Sequence, residues 1–383
     1  MGGRPWFVAV AVGVAVALGA ASCSAGAADP PPAPVRTSNA ATTAALATSV
    51  DPVSPAKDGS STSGPAITRS HEPVTIAFGG DVHFAGQLAS RLADPGPAMG
   101  PLTARLAEAD LSMVNLETAV TTGGAPQPKQ FTFRAPPVVF RALADAGIDV
   151  ATMANNHGMD YGPVSVPDAL AAATAARFPV IGIGADANQA YAPWIVTVKG
   201  QRIAFLAATA VLDDALATTW SAGPGKPGLA TALNGDNAAI VAAVTAVRPH
   251  VDTVVVNLHY GSDLTVCPTT IQRKLAGDLV GAGADIIVGQ HAHVVLGGGY
   301  QGTSYVDYGM GNFEFYVSGG GVTAETGVLR LTVNGRSISN PQWFPGQIVN
   351  GLPTPLSGAA AAAAAKHWEG LRGCTGLTLT PTP

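Results

Sequence analysis

The chain has 383 residues, only 12% of them charged, and a formal net charge of −5. No cluster of Lys or Arg appears, which excludes a protein that holds nucleic acid through its phosphates. Where polar groups are this scarce, the places at which carboxylates and imidazoles gather carry most of the information.

The N-terminus reads Met1-Gly2-Gly3-Arg4-Pro5-Trp6 and continues as an apolar run from Phe7 to Ala21. One basic residue before a short apolar stretch is the pattern of a secretory signal. The run falls short of the ~20 residues that span a bilayer. It ends at Ala20-Ala21-Ser22-Cys23, small residues directly before a cysteine, as in lipoprotein signals. Ala20 stands where such signals usually have leucine, and a plain cleaved signal is the alternative. The expectation is a signal over 1–22, with Cys23 lipidated and anchored in a membrane, or else a secreted chain; either way the domain is extracytoplasmic. Residues 23–72 are Ala, Pro, Ser, Thr and Gly with almost no large apolar side chains. They bury too little surface to offset the entropy of ordering, and read as a flexible tether. Of the three cysteines, Cys267 and Cys374 remain as an even pair once Cys23 is lipidated. A disulfide between them would pin the C-terminal tail; two unpaired thiols are the alternative.

From 73 to 353 strand-like and helix-like segments alternate. The strand candidates are apolar and β-rich: Val74–Phe78, Leu111–Val114, Val150–Met153, Ile195–Val198, Ile203–Leu206, Thr253–Val256 and Asp285–Val288. Near-continuous apolar runs suit strands covered on both faces. Helical stretches lie between them at Val138–Ala146, Val166–Ala176, Asn237–Val247 and Thr270–Ala282. Pro136-Pro137 opens the first and Gly147 closes it. Lys199-Gly200-Gln201 reads as a tight hairpin, and the run Gly327–Val333 before Asn334-Gly335 as a meander strand, so the sheets are mixed. The expected class is a layered α/β sandwich of roughly 280 residues in one domain. In the tail, 354–383, the alanine run from Ala359 to Ala365 predicts one surface helix followed by disorder.

Five of the eight histidines sit in short segments directly after these strands. Gly79-Gly80-Asp81-Val82-His83 follows the first, and Asn115-Leu116-Glu117 the second. Ala154-Asn155-Asn156-His157 follows the third, with Asp160-Tyr161-Gly162 close behind. Asn257-Leu258-His259-Tyr260-Gly261 and Gly289-Gln290-His291-Ala292-His293 follow two later strands. Carboxylate oxygen and neutral imidazole together suit divalent ions such as Zn, Mn and Fe. Each motif alone is weak: D-x-H is common, and a core histidine is the alternative for His259. Their shared position after a strand is what argues for one site at a sheet edge. His71, His250 and His367 lie in linker, loop and tail and suggest no role.

The ordered series resembles the CapA-type proteins of poly-γ-glutamate capsule synthesis, a branch of the calcineurin-like metallophosphoesterases. Beyond the motifs above, Phe133-Arg134-Ala135-Pro136, Gly283-Ala284-Asp285-Ile286-Ile287-Val288-Gly289 and Gly309-Met310-Gly311-Asn312-Phe313 also match. The resemblance implies a four-layer α/β/β/α sandwich with mixed sheets and a site for two divalent ions. Carried over residue by residue, Asp81, His83 and His293 would hold one ion, and Asn156, His259 and His291 the other. Glu117 would bridge them, and His157 would be the general acid beside a bridging water. The chain departs from the pattern at Glu117, where the phosphoesterases have aspartate, and at Gln290, where they tend to have glycine. It also has Tyr260 and Asp263 in a segment the family often writes His-Trp-Gly-x-Glu. Three functions follow as expectations: an envelope protein in synthesis, transfer or release of a capsule-like polymer; a secreted phosphoesterase; or a binding module that has lost catalysis. Near the motifs only Lys129, Arg134 and Lys226 offer a cation for phosphate, which tilts the reading to the first.

Overall fold

A computed structural model of the chain describes residues 72–317 and 320–383. The expected signal and tether, Cys23 included, lie outside the described residues apart from Glu72. Two large mixed sheets form the frame. In the first, Val74–Val82 (β1), Leu111–Leu116 (β2), Val150–Thr152 (β3) and Val180–Ile181 (β4) run parallel in that order. In the second, Trp194–Val198 (β5) pairs antiparallel with Gln201–Thr209 (β6) through a two-residue turn at Lys199-Gly200. Thr253–Tyr260 (β7) and Ile286–His291 (β8) follow in parallel. Gly298–Gln301 (β9) and Ser304–Asp307 (β10) close that sheet, β10 lying parallel beside β8. The chain then returns to the first sheet. Asn312–Glu314 (β11) pairs with the end of β1, and Glu325–Asn334 (β12), Ser337–Val349 (β13) and Leu352–Pro355 (β14) form an antiparallel meander beside its start.

Alternation along each strand sorts the side chains into three apolar layers. Val74, Ile76 and Phe78 of β1 pack with Val255 of β7 and Ile286 and Val288 of β8, filling the space between the sheets. The intervening Ala77, with Val114 of β2, faces outward onto Val139–Asp145 (α1) and Ser165–Ala176 (α2). On the other flank Val254, Val256 and Ile287 meet Ala238–Val247 (α3) and Thr270–Ala282 (α4). This is the four-layer α/β/β/α sandwich, and it explains why the strands read as continuous apolar runs: both faces are covered. A capping box between Thr269 and Gln272 starts α4, and Gly283 in the left-handed region ends it.

Two glycines set the depth of the site. A Cβ at Gly80 would collide with the carbonyl oxygen of Gly311, and one at Gly289 with that of Tyr308. Both strands therefore approach the Tyr308–Gly311 loop more closely than any side chain allows. The backbone N–H of Asp81 donates to Gly311 O at 2.9 Å.

The C-terminal helix, Gly358–Leu371 (α5), packs through Trp368 face to face on Trp343, with ring centroids 5.0 Å apart. The expectation of disorder beyond it is corrected by the structure. Cys374 is disulfide-bonded to Cys267. The Arg273 guanidinium donates to the carbonyls of Cys374 and Thr375, and Thr378 exchanges backbone hydrogen bonds with Tyr300 on edge strand β9. The cross-link is the one expected from the cysteine pair; the Arg273 contacts and the pairing with the edge strand were not legible in the sequence.

Candidate metal centre

The site lies at the C-terminal ends of the parallel strands of both sheets. Asp81 lies next to the end of β1, Glu117 follows β2, Asn155 to His157 follow β3, His259 lies near the end of β7 and His291 ends β8. Asp81, His83, Glu117 and His259 are wholly buried, and His157 and His291 nearly so.

Buried amides weave the sheet-one half together. Asn115 Nδ2 donates to Asp81 Oδ1 at 2.8 Å and lies 3.2 Å from His259 Nδ1 in the other sheet. Asn115 Oδ1 accepts from Asn155 Nδ2 at 2.9 Å, which also donates to Leu116 O at 2.9 Å. Asn155 Oδ1 in turn accepts from the His157 amide at 3.0 Å. The Glu117 amide donates to Val82 O at 2.8 Å, fixing the carboxylate over the strand ends.

Glu117 is the centre of the arrangement. Its Oε1 lies 3.5 Å from His259 Nε2 and 3.9 Å from both His157 Nε2 and His293 Nε2. Neither carboxylate oxygen accepts a hydrogen bond, although both are buried. An orphaned buried carboxylate costs several kcal/mol unless something positive occupies the space in front of it. Burial, with the neighbouring Asp81 charge, pushes the Glu117 carboxyl well above its ordinary range. Burial also raises Asp81, against the opposing pull of His293. It lowers the imidazoles: His291 to about 3, with His259 and His157 below their ordinary value. Neutral imidazoles around an unpaired carboxylate are what a divalent cation requires of its ligands. Among the described residues three groupings have the spacing: Asp81–Glu117–His293, Glu117–His259–His291 and Asp263–His291–His293, with donor atoms within 4.8 Å of one another in each. The donors present fit a metal.

Asn156 joins the second grouping, its Oδ1 2.7 Å from His259 Nε2. His293 Nδ1 lies 2.8 Å from Asn312 Oδ1 and 3.5 Å from Asp81 Oδ2. His83 stands off from all three groupings. Its ring stacks on Phe133 at 4.5 Å; Nδ1 lies 3.0 Å from the Ala85 N–H and Nε2 3.4 Å from that of Tyr316, of which the neutral ring accepts one. Burial lowers its pKa to about 3. Phe133 also stacks on His157 at 4.1 Å, forming a His–Phe–His sandwich that shields this side of the site from water.

His157 Nδ1 sits 2.6 Å from Asp160 Oδ2, which leaves Nε2 facing Glu117. Asp160 is fixed in turn by Lys129 Nζ at 2.9 Å and the Phe133 amide at 2.6 Å. The Lys129 ammonium also donates to Asn156 O and lies 5.3 Å from the centre of the Trp220 ring. Sequence reasoning missed the amide network of Asn115, Asn155 and Asn312 and the acid Asp263. Asn115 and Asn155 did stand inside the strand-end motifs and Asn312 in a matched segment; Asp263 shows in the sequence only as a departure from the family pattern, with no role assigned.

The "Bacterial capsule synthesis protein PGA_cap" family model matches residues 75–317, well over half of the chain. The chain belongs to this family. Over 222 residues it is 31% identical to the "Capsule biosynthesis protein CapA" of Bacillus anthracis, covering 57% of this chain and 52% of that one. It is 32% identical over 178 residues to the "PGA biosynthesis protein CapA" of Bacillus subtilis, covering 46% and 44%. A "Probable polyglutamine synthesis accessory protein" of Mycobacterium tuberculosis is 30% identical over 189 residues, covering 48% and 50%. The chain thus spans about half the length of the curated relatives it matches. Among solved structures, a phosphatase from Mycoplasma pneumoniae superposes with a TM-score of 0.46 at 15% identity, over 74% of this chain and 95% of that one.

Proposed function

We propose that this protein acts at the cell envelope in the synthesis, transfer or release of a capsule-type polymer of the poly-γ-glutamate kind, through a centre for two divalent ions. The observation that carries the reading is Glu117: both carboxylate oxygens orphaned, three imidazole nitrogens within 3.9 Å of Oε1, in a chain of the capsule-synthesis family. Asp81 and His293 would share one ion with Glu117, and Asn156, His259 and His291 would hold the second. His83, assigned to the first ion by resemblance, would support the site through Phe133 instead. Bound ions of the Mn, Zn or Fe type supply Lewis-acid polarisation and a water of lowered pKa.

The chain's own residues supply the rest. His157 Nε2 exchanges a proton with whatever lies in front of Glu117, and Asp160 fixes its ring by accepting from Nδ1–H. Phe133 excludes water on one side. A cleft of about 590 Å³ opens beside it, lined by Gln87, Gln130, Phe131, Thr132, Phe133 and Tyr316. Its neutral amides can bond the peptide groups of an extended chain, whose carboxylates would be left to the ions. The nearby cations are already engaged, Lys129 by Asp160 and Arg134 over the Tyr161 ring, which counts against a phosphate clamp. Export and lipidation at Cys23 would place the domain outside the membrane.

The test is metal analysis of the purified protein followed by a turnover screen on γ-glutamyl polymers and simple phosphodiesters. About two ions per chain, and polymer cleavage or transfer that falls ~10²–10⁴-fold in His157→Ala with metal content unchanged, are expected. Phosphodiester turnover alone, lost in the same variant, would move the reading to a phosphoesterase. Bound metal with no turnover on any substrate would leave a binding module.

A further inference from the structure

Beside the Glu117 grouping, a second acid meets the same histidines from the solvent side. Asp263 Oδ1 lies 3.2 Å from His291 Nε2, and its carboxylate shares a ligand-spaced group with His291 and His293. It is the exposed member, at 68% of the side chain. Exposed acids usually sway freely; this one is fixed at three points. Upstream, strand β7 ends at Tyr260. Next to it, Leu264 N donates to Ala292 O at 2.9 Å, so the loop rides on the His291-Ala292-His293 turn. Downstream, Cys267 is bonded to Cys374 in the C-terminal tail, which Arg273 and strand β9 hold in place.

A second observation points to a ligand independently. His291 is only 7% exposed, and its Nδ1 is buried with no hydrogen-bond partner. Nε2 thus faces Asp263, and Nδ1 makes no hydrogen bond to the protein. Among the described residues no Lys or Arg pairs with Asp263; its carboxylate faces the imidazoles and the charge of Glu117 instead. One carboxylate oxygen and two imidazole nitrogens make a donor set of the kind that takes Zn, Mn or Fe.

We infer that Asp263 is an outer metal ligand, closing the solvent side of the ion that His291 would hold, with His293 of the neighbouring ion alongside, and that the Cys267–Cys374 disulfide holds it in place. The inference rests on the metal-centre reading above. It makes the C-terminal tail part of the site: the cross-link joins the ligand loop to a segment more than 100 residues away in sequence. An open, exposed carboxylate can leave its ion to admit a substrate oxygen, which the buried Glu117 is not placed to do.

The experiment is titration of the metal-stripped full chain with Mn²⁺ and with Zn²⁺, with circular dichroism as the control for folding. Asp263→Asn should weaken the affinity of one ion on the order of 10–100-fold, and Asp263→Glu should recover most of it. Asp263→Asn with wild-type affinity for both metals overturns the ligand assignment while leaving the Glu117 centre standing. A wild-type chain that binds neither metal overturns both readings. The double variant Cys267→Ser/Cys374→Ser should lose affinity in the same direction, and adding Asp263→Asn should cost little more, because both changes remove the same contact. Fully additive losses would overturn the role of the disulfide.

Discussion

Glu117 and Asp307 are both wholly buried carboxylates with an oxygen that lacks a hydrogen-bond partner, and they sit in opposite surroundings. Three imidazole nitrogens ring Glu117. Asp307 ends β10, where Oδ1 accepts from the Gly309 amide at 3.0 Å and Oδ2 lies against Gly298. No Lys, Arg or His pairs with it among the described residues. Burial raises the pKa of both, Asp307 to about 7. A buried carboxylate has two ways out of its desolvation cost: neutralise by taking a proton, or stay ionised beside a cation. Asp307 has only the first available. Glu117 is surrounded by neutral lone pairs that favour the second. The same chemical group therefore reads as structural in one place and as metal-binding in the other, and its neighbours decide which.

The largest effect expected from breaking this contrast is at Glu117. Glu117→Met keeps the side-chain length and removes the orphaned oxygens. Metal binding should be lost, while the metal-free protein gains ~1–3 kcal/mol of stability, since an unpaired buried group is replaced by an apolar one. Metal content by mass spectrometry and the urea midpoint in chelator check the two halves. A variant that keeps its metal, or one that is less stable than the metal-free parent, would mean that Glu117 is stabilised by contacts within the protein.

How much of this was legible in the chain depends on whether the signal was local. The strand-end motifs were readable because an apolar run and the polar residues closing it are contiguous, so Asp81, Glu117, Asn156, His157, His259, His291 and His293 could be placed at one edge. What the side chains touch there was not readable. His83 follows the spacing of a ligand, yet Phe133, 50 residues on, captures its ring face. Asn115 joins Asp81 to His259 across the gap between the sheets, a contact that exists only after both sheets are packed. The cross-link that holds the tail was offered by the even cysteine pair, but the edge strand that pairs with Thr378 was not. A layered α/β sandwich was suggested by the alternation of apolar runs and helices, but its four layers came from the resemblance. Nothing in Asn312–Glu314 announces that it leaves the second sheet to pair with β1.

A smaller effect tests whether the amide network belongs to the metal site or merely to the fold. Asn115→Ala removes the partner of Asp81 Oδ1 and of Asn155 Nδ2 at once. Two buried groups left short of a partner should cost about 2–4 kcal/mol in the metal-free protein. Saturating metal should restore part of the loss, because an ion takes over Asp81. Denaturant midpoints with and without metal measure this. Equal losses in both conditions would make the network structural alone.

The smallest effect isolates the proton solution at Asp307. A carboxyl raised from 3.8 to about 7 binds its proton more tightly in the folded state than in the unfolded one. The stability tied to that proton is fully present below the unfolded value and is lost as pH rises through about 7. Asp307→Asn cannot ionise and keeps an oxygen for the Gly309 amide. The variant should therefore lack this component of the alkaline loss, and its melting temperature relative to the parent should climb between pH 5 and pH 8, each kcal/mol being worth ~2–4 °C for a domain of this size. Metal should not alter the difference, since Asp307 lies outside all three ligand groupings. A parent and variant with parallel pH profiles would show that Asp307 is already paired, and the contrast with Glu117 would then rest on geometry rather than on charge.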